Sequence, residues 1–357
     1  MSLRPQEINR AKLPFLFKRE FELCKVAANE TIVLVTDLKV RPEFIEAAFA
    51  AAEALGAKIY EMKMNRPYST THIGGEQIFE PTGTMQAIEQ ADLCIVFHIP
   101  LGSDMLARGR KAGTRFLMIY DHPDDIERLM SPAGLKEACL YTQDRIQNSR
   151  EMRVISDAGT DFRCELGKMV TTCQYGYAEE AGRVDHWGGG HVSTWPNIGT
   201  AEGRLVVRPG DCWILPYVRY VEDEVVMTVK KGVITEATGK TDAMLIRQFC
   251  DAHKQSPEDD EPYQVSHLGW GLNPQARWYS LAMNGDAPER QRASARVFAG
   301  NFLFSTGPNS QGGGKRTTRG HYDVPMRDCT VMLDNEVIID KGKITDPKMM
   351  VARIATA

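Results

Sequence analysis

The chain has no long hydrophobic run: nowhere among its 357 residues do apolar side chains approach the roughly 18 in succession that a membrane-spanning helix needs. Its first stretch, MSLRPQEINRAKLPF, contains no apolar signal segment. There is no Cys-x-x-Cys pair. The eight cysteines, Cys24, Cys94, Cys139, Cys164, Cys173, Cys212, Cys250 and Cys329, are scattered, which argues against a disulfide framework and a structural zinc site. Several lie in apolar runs such as DLCIVF, where cysteine behaves as a small hydrophobe. A reduced, cytoplasmic protein is expected. Basic residues are not in excess: 43 Lys and Arg stand against 47 Asp and Glu, for a net charge of −4. That balance leaves no electrostatic footprint for nucleic acid and points to a small neutral or anionic ligand.

Nucleotide motifs are lacking as well. NSQGGGKRT resembles a phosphate loop, but Asn309 replaces its first glycine, and Arg316 follows Lys315 in place of Ser or Thr. The first strand-like run is followed by TDLKVRPE, not by G-x-G-x-x-G. The glycines at 312–314 therefore read as a mobile loop.

What is present is ordinary globular material, 43% hydrophobic and 25% charged, on a chain long enough for two domains. TIVLVTDL reads as a buried parallel strand. RPEFIEAAFAAAEALG reads as a helix with Pro42 at its start and Gly56 as its stop, and AKIYEMKM as the next strand. The alternation continues through TMQAIEQA, DLCIVFH, SDMLARGRKAG and RFLMIY, which predicts a doubly wound parallel sheet. Segment 123–150 reads as helical and closes this Rossmann-like domain, assigned to residues 1–151. From about residue 152 short β-rich runs separated by Gly and Pro take over, with TDAMLIRQFCDAH as a helix capped by Thr241 or Asp242. Residues 152–357 are assigned to a mixed α+β domain.

RGHYDVPM carries His321 and Asp323 two positions apart. On an extended strand such residues share a face; the pair suits two ligands of one metal ion, and equally a surface ion pair. His122 and His253 lie in charged surroundings and read as solvated. His267, in YQVSHLGWGLNP, ends a strand-like segment where Gly269 and Gly271 admit close backbone approach. Alone it reads as a structural residue or a ligand. With His321 and Asp323 it completes two imidazoles and a carboxylate, the facial set of non-haem Fe(II) oxygenases. The stretch YGYAEEAGRVDHWGGGHVSTWPN, residues 175–197, packs Tyr175, Trp187, His186 and His191 among glycines. It reads either as a loop covering a core edge or as a pocket wall that stacks a flat ring, and its glycine content favours the wall.

These segments carry a resemblance. YGYAEEAGRVDHW, TWPN with AEG, SHLGWGLNP, GNFLFSTGPN, GGKR and His-x-Asp-x-Pro, in order over roughly residues 160–340, are similar to the 2,5-dihydroxypyridine 5,6-dioxygenase family, iron enzymes that open a pyridine ring. The resemblance implies that His267, His321 and Asp323 hold Fe(II). It also implies that the substrates are a hydroxylated N-heterocycle and O2, and that the protein is a homo-oligomer. His186 is then a candidate catalytic or orienting residue, with Gln174, Tyr175, Trp187, His191 and Glu202 as candidate substrate contacts. Where the family carries an acid/base histidine this chain has Gly102; His98, four residues earlier, is the candidate substitute. A family glutamate is Gln174 here, and an amide can neither take up a proton nor pair with a cationic ring nitrogen. More distantly, two-metal aminopeptidases share the expected fold and the His-x-Asp ending, with Glu202 at a bridging position. Trp270 and 312–314 fall where further ligands would be needed, which leaves a second metal without a cage and disfavours two-metal peptide hydrolysis; a metal-dependent hydrolase is kept as the alternative reading.

Overall fold

The computed structural model describes residues 10–64, 82–283 and 293–353. The chain groups into two compact units. One comprises the described parts of Met1–Ser131 with Gln174–Gly189 and a short stretch from Ala282; the other takes Pro132–Cys173, Gly190–Leu281 and the chain from Arg292 onward. This division is interleaved and differs from a single cut at 151/152. The helix Leu135–Gln147 groups with the second unit, where its Tyr141 hydroxyl donates to Asp346 at 2.9 Å. Chain that returns at 174–189 completes the first unit.

The first unit is built on a parallel sheet in the order Lys58–Lys63, Thr31–Thr36, Leu93–Val96, Arg115–Met118, Val184–His186. The apolar runs that signalled the central strands are buried on both faces, as a covered parallel sheet requires. The helix Pro42–Leu55 starts on Pro42 and stops on Gly56, whose φ of 71° is the left-handed conformation of a helix-ending residue. It buries Phe44, Ala47, Ala48, Ala51 and Ala52, the i, i+3, i+4, i+7, i+8 stripe of an amphipathic helix. A helix not foreseen from the sequence, Leu13–Leu23, contributes Phe17 and Phe21 to the same core. His122, expected in solvent, is buried; its Nδ1 accepts from the Asp124 N–H at 3.2 Å and caps the helix Pro123–Arg128.

The second unit holds two larger antiparallel sheets and a two-stranded ribbon, Cys212–Trp213 with Arg219–Tyr220. Eight strands run in the order Val233–Gly239, Val225–Lys230, Glu202–Val207, Asp161–Glu165, Glu151–Ser156, Cys329–Leu333, Glu336–Asp340, Lys343–Ile344. Five run in the order Tyr322–Met326, Phe302–Thr306, Val265–Gly271, His191–Thr194, Thr171–Gln174. Phe162 of the first sheet meets Phe304 of the second edge to face at 6.0 Å, and the Tyr322 hydroxyl reaches Met227 Sδ at 3.2 Å. The apolar face carrying Phe304 and Tyr322 thus packs against the eight-stranded sheet. The helix Thr241–Ala252 forms where expected but takes no side-chain cap from Thr241 or Asp242. Asp242 accepts instead from the Glu222 and Asp223 N–H groups at 2.8 and 2.7 Å. Among the described residues no helix is long and apolar enough to cross a membrane.

Candidate metal centre

Strand register assembles the site. Neighbouring side chains on a strand point to opposite faces, and residues directly opposite across a sheet share one. Ser305 stands opposite Asp323. Leu268 stands opposite Phe304 on one side and Thr194 on the other. One step along, Trp195 flanks His267 and Asp323 flanks Ser305, and the approach of His267 to Asp323 joins the two pairs into a row on the face away from Phe304. Two contacts agree with that row: Ser305 Oγ donates to the His267 carbonyl at 2.6 Å, and the Trp195 ring stands edge-on to His267 at 5.7 Å. A bulge between Val265 and Leu268 re-aims His267 within the row, a common device beside functional sites. Gly269, two residues on, lies so close to its neighbour that a Cβ there would meet the Val192 carbonyl oxygen at 1.9 Å.

On this face two imidazoles converge on one carboxylate oxygen. His267 Nε2 lies 3.2 Å and His321 Nε2 3.1 Å from Asp323 Oδ1. One ligand atom from each residue falls within 4.8 Å of the others. All three residues are buried, at 9%, 3% and 4% exposure for His267, His321 and Asp323. His321 Nδ1 sits 2.5 Å from the Thr306 carbonyl oxygen. A carbonyl only accepts, so Nδ1 carries a proton and Nε2 is the nitrogen that faces the site, able to offer a lone pair once it is deprotonated. The Asp323 backbone is pinned by the Leu215 carbonyl at 3.2 Å and the Ile214 N–H at 3.1 Å. Burial drives the Asp323 carboxyl up, but His321 and His267, by charge and hydrogen bonding, outweigh it and hold the group well below the usual carboxylate range. Burial lowers His267 against the pull of Asp323, which favours the neutral ring. A carboxylate and two imidazole nitrogens form a donor set for a divalent ion. Two donors bound at right angles, each roughly 2.1 Å from a first-row ion, lie about 3 Å apart. The two nitrogen–oxygen separations match that spacing, so the residues fit a metal.

The remaining candidates are distributed unevenly. His191 is buried near the three, its ring 6.4 Å from His267. Glu202, expected at substrate, lies in the eight-stranded sheet, where its Oε1 accepts from the Lys231 N–H at 2.8 Å and ties down a hairpin turn. Five candidates belong to the other unit. His98 is buried beyond the end of Leu93–Val96, and burial holds its imidazole well below the ordinary value. His186 stands opposite Met118 on the edge strand and stacks on Tyr120 at 5.9 Å. Gln174 is half-buried. Tyr175 and Trp187, expected to face a ring substrate, are held in that unit's own interior. The Tyr175 hydroxyl donates to Glu179 at 3.1 Å and its ring lies under Arg183 at 3.5 Å. The Trp187 indole N–H donates to the Ile126 carbonyl at 2.8 Å, with its ring against Phe17. A large aromatic with its polar atom already bonded packs as core.

Residues the sequence reading passed over matter here. Asp185 accepts from the Tyr175, Gly176 and His186 N–H groups at 3.1, 3.0 and 2.8 Å and from Arg183 at 2.6 Å, which fixes the backbone around two candidates. The stretch 312–314, expected as a mobile loop, begins inside the short helical turn Ser310–Gly312. There Gly312 lies under the Trp195 indole, and Arg316 Nε donates to the Gly307 carbonyl at 2.6 Å. TWPN was visible as a motif, but only strand register distinguishes Trp195 from Trp187.

A sequence profile of the 2,5-dihydroxypyridine 5,6-dioxygenase family matches residues 12–346. The 2,5-dihydroxypyridine 5,6-dioxygenase of Pseudomonas putida is 33% identical over 354 residues, covering 97% of this chain and 99% of that protein. A solved structure of the 2,5-dihydroxypyridine dioxygenase from Pseudomonas putida KT2440 superposes with a TM-score of 0.89 at 32% identity, covering 96% of this chain and 100% of that one. Wild-type AmpT from Thermus thermophilus superposes with a TM-score of 0.65 at 12% identity, covering 95% and 100%, a likeness of fold alone. By the length and identity of these matches, the chain belongs to the 2,5-dihydroxypyridine 5,6-dioxygenase family.

Proposed function

We propose that this dioxygenase opens the ring of 2,5-dihydroxypyridine or a close analogue, with Fe(II) held by His267, His321 and Asp323. The observation that carries the reading is the approach of both Nε2 atoms to Asp323 Oδ1 at 3.2 and 3.1 Å. Two imidazoles and a carboxylate on one face leave the remaining positions of an iron open to substrate and O2. When bound, the iron supplies the one-electron chemistry that lets O2 react with an aromatic ring.

The chain's own residues hold and shield. Thr306 fixes the His321 tautomer, and burial of all three ligands excludes bulk water from the charged centre. His191 lies beside His267 and is suited to orient a polar ring substituent. His98, kept neutral by burial, is by residue type a candidate proton acceptor, with His186 as a second. The family's histidine is Gly102 here and its glutamate Gln174, so recognition of the ring nitrogen differs from the family pattern. The eight cysteines are all buried and scattered along the chain, which suits a reducing, cytoplasmic setting.

The test is oxygen uptake by anaerobically iron-loaded protein given 2,5-dihydroxypyridine. Uptake of one O2 per ring is expected. Bound iron with no uptake sinks the substrate assignment, and oxygen-independent amide hydrolysis with zinc or cobalt would favour the hydrolase alternative.

A further inference from the structure

Trp195 carries a buried donor that the fold leaves unused. The residue is 3% exposed, and among the described residues its Nε1–H meets no hydrogen-bond partner. Burying an N–H without an acceptor costs free energy, so such groups are rare in native proteins. The position is specific: Trp195 continues the row of His267, Ser305 and Asp323, with its ring edge-on to His267 at 5.7 Å. Packing holds the indole from one side. A Cβ at Gly312 would fall 2.5 to 2.8 Å from its Cδ2, Cγ and Cε3 atoms, the half of the ring away from Nε1. Elsewhere in the unit, Trp278 spends its indole N–H on the Gly210 carbonyl at 2.7 Å; among the described residues the Trp213 and Trp270 N–H groups also lack a partner, so it is the contact with His267 that sets Trp195 apart.

We infer that Trp195 is a specificity-determining residue whose indole N–H donates to an oxygen substituent of the bound ring. The inference rests on the proposed substrate and deepens it. An indole N–H only donates, so it selects a substituent with a free lone pair, such as a pyridone carbonyl or a deprotonated hydroxyl. A ring with two oxygens offers one beyond the atom that approaches the metal. A site built to hydrogen-bond a substituent rejects analogues lacking it, because its own buried group is then left unpaired.

The experiment measures anaerobic binding of 2,5-dihydroxypyridine, 2-hydroxypyridine and 3-hydroxypyridine to the iron-loaded wild type and to Trp195→Phe, with melting temperature and iron content in parallel. Phe keeps most of the ring and removes the N–H. The inference expects the variant to hold iron as the wild type does and to bind 2,5-dihydroxypyridine about five- to tenfold more weakly. With one of the two monohydroxypyridines the loss should vanish, which identifies the acceptor oxygen. Equal losses for all three ligands, or none, overturn it. If the variant loses structure or iron, the wild type is read directly. In zinc-loaded protein labelled with 15N at the indoles, one of the five tryptophan N–H signals must move downfield on adding 2,5-dihydroxypyridine; five unmoved signals overturn the inference. Failure of the wild type to bind 2,5-dihydroxypyridine removes the proposed substrate and this inference together, whereas binding unaffected by Trp195→Phe removes only the role of Trp195.

Discussion

His321 presents its Nδ1 to the backbone carbonyl of Thr306, 2.5 Å away, and Thr306 is held in register opposite Tyr322, the residue next to His321. The carbonyl that sets the tautomer is therefore positioned by the same strand pairing that carries Asp323. A proposed ligand oriented by backbone leaves no single side chain whose loss frees it.

His321→Ala and Asp323→Ala should each weaken metal retention by more than about a hundredfold, since outer-sphere partners alone are worth 10- to 100-fold. Metal content after dialysis and turnover should fall together. Either variant retaining full metal content and activity would refute the triad.

Gly312→Ala places a methyl group 2.5 Å from the Trp195 ring. Overpacking of this kind typically costs about 1–3 kcal/mol. The denaturation midpoint should drop accordingly and the near-ultraviolet circular dichroism of the tryptophans should change. An unchanged midpoint would mean the indole moves aside freely.

Trp187→Phe removes the donor to Ile126 and part of a buried ring among Phe17 and its neighbours. We expect a stability loss of about 1–3 kcal/mol with an unchanged KM, measured by urea unfolding and steady-state kinetics. A shift in KM with stability intact would return Trp187 to the substrate.

Glu20 is fully buried in the helix Leu13–Leu23, and among the described residues neither carboxyl oxygen has a hydrogen-bond partner. Burial first, then the neighbouring Asp185, pushes its pKa well above the carboxylate range, against the opposing pull of Arg19; Cys24 also faces it. A folded-state pKa above the unfolded value means that protonated Glu20 favours the fold. That contribution is complete below the ordinary carboxylate pKa and is lost as pH rises toward the raised value. Glu20→Gln should match the wild type near pH 4 and melt at a higher temperature at pH 7–8. Identical melting temperatures at both values would show that Glu20 does not titrate with folding.

Local sequence carried much of this architecture. Runs such as TIVLVT and LCIV announced a buried parallel sheet because both faces of those strands are covered. The strand Val184–His186 was not legible as the sheet's fifth member: it is three residues long and joins Arg115–Met118 after a long excursion through the other unit. His321 and Asp323 were legible because a two-residue period is a local property. Trp195 and the Thr306 carbonyl were not, since which residues stand opposite each other depends on pairing between segments far apart in sequence. The same limit explains Trp187: composition marked an aromatic, glycine-rich stretch, but not which of its tryptophans was needed by the core.

The row of Trp195, His267, Ser305 and Asp323 is drawn from four segments whose strands are neighbours in one sheet. A slip of one residue in the strand carrying His267 or the strand carrying Asp323 would turn a proposed ligand to the opposite face. Metal uptake by the proposed ligands would therefore report on the register of the sheet: a compact but misaligned chain would fail to take up the ion, and the fraction of metal bound at saturation would count correctly assembled molecules.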